Sequence, residues 1–194
     1  YRGGGRRLER CSRPKSPPNV ERFNNPNYGG CFDGNGMVAM HNGPNKMVRD
    51  LKKGDCVAGG STVVCVVRTP TTDCVDMVDF GAVKLTPWHP IRRAGRMGIE
   101  PGWAFPCEIK KPTKTRLTDG LYNVVLDSEH ALHIEEVECI TLGHGFQGDV
   151  IGHEYFGTEK VLNDLRALPG WDEGVVTITG SKRDAKTGLV SGLF

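Results

Sequence analysis

Cys31 follows two glycines in the run Gly29-Gly30-Cys31-Phe32, and a cysteine placed directly after a peptide bond can attack the carbonyl in front of it. Attack on the Gly30 carbonyl would move the acyl chain from nitrogen to sulfur and turn a peptide bond into a thioester. Equilibrium favours the amide, so a fold that uses this chemistry must strain or polarise the bond and stabilise the tetrahedral intermediate. Glycine before the cysteine leaves the carbonyl unshielded and tolerates unusual backbone angles. A second reactive group stands in Leu85-Thr86-Pro87-Trp88-His89-Pro90. The His89 imidazole, which can hold or release a proton near neutral pH, is suited to protonate the departing amide nitrogen, and the Thr86 hydroxyl to hydrogen-bond the scissile amide. Taken one at a time these residues have plainer uses, as a small buried thiol, a packed histidine and a strand threonine. Their joint pattern carries the chemical reading.

The elements that must hold these groups read mainly as strands. From Cys31 onward, short apolar runs alternate with turn residues, namely Met37 to Met40, Ser61 to Val67, Cys74 to Phe80, Ala82 to Leu85, Leu121 to Leu126 and Val137 to Thr141. Asp79-Phe80-Gly81-Ala82 predicts a tight hairpin, and Leu51-Lys52-Lys53-Gly54-Asp55 a second turn. One stretch predicts a helix, at about 158–168: Thr158 can cap it, Val161, Leu162, Leu165 and Leu168 share one face, and Pro169-Gly170 stops it.

The chain has 194 residues, 38% of them hydrophobic, with 25 Lys+Arg against 23 Asp+Glu, which fits one globular unit and excludes a strongly electrostatic partner for the whole. The charge is uneven. Residues 1–30 carry seven Arg/Lys against two Glu, with four prolines and five glycines and no apolar periodicity, so a flexible basic segment is expected there. The Arg-Gly-Gly-Gly-Arg-Arg start is too short to argue for a nucleic-acid arm. No apolar run approaches the roughly 20 residues that cross a bilayer, and no signal-peptide core is present, so no membrane partner is expected. The start at Tyr1 leads us to expect a piece of a longer protein. Seven cysteines at irregular spacings without a CxxC pair, most inside apolar runs, favour reduced buried thiols over a disulfide scaffold and lean toward a reducing intracellular compartment.

In their order along the chain, Gly29-Gly30-Cys31-Phe32, Thr86-Pro87-Trp88-His89-Pro90, and Tyr122-Asn123-Val124-Val125-Leu126 followed by His130 and the strand through Cys139 resemble the Hint superfamily of inteins and hedgehog-type autoprocessing domains. Adding Val48-Arg49-Asp50-Leu51-Lys52-Lys53-Gly54-Asp55, Thr141-Leu142-Gly143-His144-Gly145-Phe146 and Tyr155-Phe156-Gly157-Thr158 makes the sequence look like the Vint family, Hint domains associated with von Willebrand factor A modules. The resemblance implies an all-β, intein-like horseshoe with a short C-terminal helix and flexible tails. It divides the chain into an N-terminal segment 1–30, a domain 31–175 and a C-terminal tail 176–194. It further implies Cys31 as nucleophile, Gly30 as the scission site, Thr86 and His89 at the scissile amide, His130 for orientation or proton transfer, and Cys139 as a thiol that could take the acyl group from Cys31 or pair with it in a reversible disulfide.

Departures from the better-known members narrow the outcome. Splicing needs a terminal asparagine, whereas the strand after His130 reads Ile140-Thr141; sterol transfer needs an acidic residue on an earlier strand, which here reads Cys65-Val66-Val67-Arg68-Thr69. The expectation that remains is single-turnover cleavage in cis at Gly30-Cys31, through a thioester that is hydrolysed or passed to an external thiol or amine. No cofactor is expected. A metal is not expected either, because His130 and His133, three apart on a strand, would point to opposite faces. The competing expectation is a silent Hint fold serving as an interaction module within a larger assembly.

Overall fold

The computed structural model describes residues 30–71, 73–93 and 102–194, with the side chain of Arg93 excepted; the basic segment expected at the N-terminus lies outside the described residues apart from Gly30. Strands dominate. They are β1 (Phe32–Asp33), β2 (Met37–Val38), β3 (Lys46–Met47), β4 (Val63–Thr69), β5 (Cys74–Asp79), β6 (Lys84–Leu85), β7 (Ile91–Arg93), β8 (Thr113–Arg116), β9 (Leu121–Leu126), β10 (Ala131–Ile134), β11 (Val137–Ile140), β12 (Val175–Thr177), β13 (Ser181–Arg183) and β14 (Val190–Leu193). The described residues hold two helices, a single turn α1 (Pro106–Ile109) and the longer α2 (Glu159–Ala167).

Seven strands form one sheet in the order β12-β4-β9-β1-β6-β5-β8, five form a second in the order β3-β2-β10-β11-β7, and β13 pairs with β14 alone. Between the two large sheets lies a core built on Phe32, Leu85, Ile91, Val124, Leu132 and Ile134, all with about 1% of their surface exposed or less. The β5–β6 hairpin closes through Phe80 N–H to the Val83 carbonyl at 2.9 Å, with Gly81 at φ 91° supplying the backbone angle that a side chain would resist.

Thr158 caps α2, its Oγ1 accepting from Lys160 N–H, and Val161, Leu162 and Leu165 bury the apolar face. They pack on Cys65, Val67, Val125 and Val176, the back of β4, β9 and β12. The stretch 176–194, expected as a tail, is folded instead. β12 adds in parallel to β4, and β14 brings Leu193, 7% exposed, onto the same cluster as α2. Asp164 on α2 holds the hairpin by accepting from Leu193 N–H at 3.2 Å and from the Tyr155 hydroxyl at 2.5 Å. Arg92 lies in strand β7 and makes two 2.8 Å bonds to Glu138 of the neighbouring β11.

Candidate functional site

Register places the site. β1 is only two residues long, yet it sits between β6 and β9, with Phe32 opposite Leu85 on one side and opposite Tyr122 on the other. One residue back along an antiparallel pair, Cys31 must then lie opposite Thr86 on the β6 side and opposite Asn123 on the β9 side. The hydrogen bonds agree. Thr86 N–H donates to the Cys31 carbonyl at 3.0 Å, Cys31 N–H donates to Thr86 Oγ1 at 2.9 Å, and the Asn123 side-chain amide donates to the Gly30 carbonyl.

His89 completes the ring around this peptide bond. The turn after β6 closes with His89 N–H donating to the Thr86 carbonyl at 3.2 Å and carries the imidazole over Gly30, with Phe32 packed against it at 4.4 Å between ring centroids. A Cβ on residue 30 would lie 2.5 Å from His89 Cγ and 2.6 Å from Nδ1, so glycine here is a matter of space. Nε2 lies 2.9 Å from the Ile140 carbonyl. A carbonyl only accepts, so Nε2 carries the proton and Nδ1 presents its lone pair toward Gly30. Nδ1 is buried and makes no hydrogen bond of its own.

Burial sets the protonation states. His89 is fully buried, and the loss of hydration pushes its pKa down to about 4, against smaller opposing contributions from the Ile140 and Gly30 backbone. The imidazole expected to be poised near neutrality is therefore neutral at rest. Cys31 is 5% exposed among Val75, Met77, Leu117 and Leu121, and burial pushes its thiol up to about 12. A thiol so shielded needs a base at hand to become a nucleophile.

Of the other expected site residues, His130 stands nearby and Cys139 does not join. His130 precedes β10 at φ 52°, its carbonyl accepting from Thr141 N–H at 2.9 Å, and its Nδ1 is buried without a partner. Because it lies before the strand, the face argument made from a strand spacing to His133 has no footing; among the described residues no group of three metal-ligating side chains forms. Cys139 is fully buried in the core between the sheets, opposite Leu132 and Ile91, while Cys31 belongs to a different cluster. Burial raises its thiol pKa well above the usual range. It is a core residue.

Three residues at the site went unassigned in the sequence. Asn123 was visible as the single amide in the apolar strand Leu121–Leu126, a residue type strands disfavour and whose burial demands partners. Its Oδ1 accepts from Val124 N–H at 2.7 Å, which orients the Nδ2 donor toward Gly30. Thr141 and His144 line the same pocket as Gly30, His89 and Asn123, a cavity of about 60 Å³. The His144 Nδ1 accepts from Phe146 N–H at 2.9 Å, and burial, reinforced by the neighbouring His130, holds its pKa down at about 4.

Known proteins resemble the chain over much of this extent. The family model described as Vint, Hint-domain, matches residues 30–192. Among solved structures, the crystal structure of the gp41-1 intein is similar, at 16% sequence identity and a TM-score of 0.38, covering 59% of this chain and 100% of the intein. No curated protein sequence matches.

Proposed function

Because the chain belongs to the Vint family of Hint domains, we propose that it cleaves its own Gly30-Cys31 bond once, in cis, through a thioester at Cys31 and without splicing. The observation that carries this reading is the convergence of three side chains on one peptide bond: Thr86 on the amide N–H, Asn123 on the carbonyl oxygen, and His89 Nδ1 against Gly30. His89 Nδ1 takes the Sγ proton as sulfur attacks the Gly30 carbon. Asn123 donates to the oxyanion that forms, in the manner of an oxyanion hole. When the C–N bond breaks, the imidazolium returns its proton to the Cys31 nitrogen, leaving Gly30 bound to Sγ and a free amine on Cys31. An imidazolium with a pKa near 4 is a strong acid for that delivery, and Nε2–H stays on the Ile140 carbonyl throughout. The thioester is then hydrolysed or passed to an external thiol or amine. Residues 1–30 leave with a carboxyl terminus at Gly30; association with von Willebrand factor A modules would make that segment the link to the rest of a larger protein.

Replacing Cys31 by alanine is expected to leave the bond intact, and Cys31→Ser to slow cleavage, as read from the intact mass of purified chain over time. Cleavage between residues 30 and 31 in the alanine variant would exclude the mechanism. A silent Hint fold acting as an interaction module is favoured by one observation, the apolar packing that raises the Cys31 thiol to about 12. That reading predicts a single intact mass which added thiol leaves unchanged.

A further inference from the structure

Four buried side-chain atoms among the described residues lack a hydrogen-bond partner, and two of them, His89 Nδ1 and Thr141 Oγ1, belong to residues that line the cavity at Gly30. A buried polar atom without a partner costs stability unless water satisfies it. Thr141 is 2% exposed and sits between Ile140, whose carbonyl holds His89, and Leu142, which bonds to Val124 beside Asn123. Thr141 and His89 both line the cavity that opens on Gly30. Its volume of about 60 Å³ gives room for roughly four waters at ~15 Å³ each. Trp88, Phe105 and Phe156 supply apolar wall, while His144, His153 and Arg183 add polar groups that can hold water.

We propose that this cavity is the water site of the reaction, and that the acyl acceptor is water held by Thr141 Oγ1 and deprotonated by His89 Nδ1. The inference rests on the thioester reading and assigns the fate of that thioester. After the acyl shift His89 is again neutral, with Nδ1 open to the cavity. Water oxygen bonds to the Gly30 carbon, its proton passes to Nδ1, and the Gly30 oxygen again draws on Asn123. Collapse breaks the C–S bond, and the proton moves from Nδ1 to Sγ. The products are a carboxylic acid at Gly30, which releases the second water proton to solvent as it ionises, and a thiol with a free amine at Cys31, with no other reactant consumed. Thr141 is a positioning residue: it orients the water and has no part in forming the thioester.

The test separates hydrolysis from thioester formation in the full chain. Spontaneous cleavage is followed in heavy-oxygen water, and cleavage by dithiothreitol is followed in parallel, for the natural chain, Thr141→Val and Thr141→Ser. The fragment ending at Gly30 is expected to carry one heavy oxygen in its new carboxyl group. Thr141→Val, which keeps the shape and removes the hydroxyl, is expected to slow spontaneous cleavage roughly 10-fold, the loss of one hydrogen bond, with thiol cleavage changed less than about twofold. Thr141→Ser is expected to restore it. Equal slowing of both cleavages, unchanged hydrolysis in Thr141→Val, or an unlabelled fragment overturns the water site while the thioester stands. Absence of thiol-dependent cleavage in the natural chain overturns the thioester reading and the water site with it.

Discussion

Converting Asn123 to aspartate tests the oxyanion donor with little disturbance elsewhere. Asn123 is 6% exposed, its Nδ2–H donates to the Gly30 carbonyl, and its Oδ1 accepts from Val124 N–H at 2.7 Å. Aspartate keeps the second bond and loses the first. At pH 8 the carboxylate faces the oxygen that becomes negative in the transition state and repels it. Removing one such donor costs about 2.7–4 kcal/mol of transition-state stabilisation, which is a slowing of ~10²–10³-fold. Asn123→Ala should slow the reaction by a similar factor but also lower stability by about 1–3 kcal/mol, because Val124 N–H is left buried and unpaired. The assay is the rate of dithiothreitol-induced cleavage, by mass or gel, alongside the denaturation midpoint of each variant in a Cys31→Ala background. Cleavage by Asn123→Asp within about threefold of the natural rate, with the fold intact, refutes the assignment.

Three further outcomes are expected from the same geometry. Gly30→Ala would place a Cβ 2.7 Å from the His89 backbone Cα as well as against the ring, so backbone must move and cleavage should fall ~100-fold or more; natural rates would show that the close approach does not exist in solution. Thr86→Val removes the acceptor 2.9 Å from Cys31 N–H and should slow cleavage about 10-fold, the equivalent of one buried hydrogen bond, whereas an unchanged rate would leave Thr86 as a packing residue. Stability should depend on acid in a defined window. The unfolded chain protonates His89 near 6.5 and the folded chain only near 4, so in between the unfolded state binds more protons. The stabilisation is full above about 6.5 and is lost as pH falls toward about 4, by up to about 1.4 kcal/mol per pH unit, with His144 adding a loss in the same direction. Urea midpoints of the Cys31→Ala chain should fall over that window, and adding His89→Gln should roughly halve the slope; an unaltered slope would mean His89 is not buried as described.

The candidate site residues stand out in the sequence because their types are unusual where they stand: a cysteine behind two glycines, and threonine and histidine three apart around a proline. What brings them together was not legible. The pairing of Phe32 with Leu85 and with Tyr122 joins segments 53 and 90 residues apart, and such non-local register is chosen by packing of the whole core. Asn123 sits in an apolar run, and one amide among five apolar neighbours carries no distinct signal until its carbonyl partner is known. Strand β8, Thr-Lys-Thr-Arg, and strand β13, Ser-Lys-Arg, carry no apolar pattern because they lie at sheet edges, where charge guards exposed backbone; this is also why the C-terminal hairpin read as a tail. Cys139 is buried in the core between the sheets, as the apolar residues Val137 and Ile140 around it favour.

The most direct test of the thioester at Cys31 is the intact mass of freshly purified chain with and without dithiothreitol. Two fragments meeting between Gly30 and Cys31, increased by thiol and with the thiol attached to the upstream one, are what the account predicts. A single mass that thiol and time leave unchanged would contradict it.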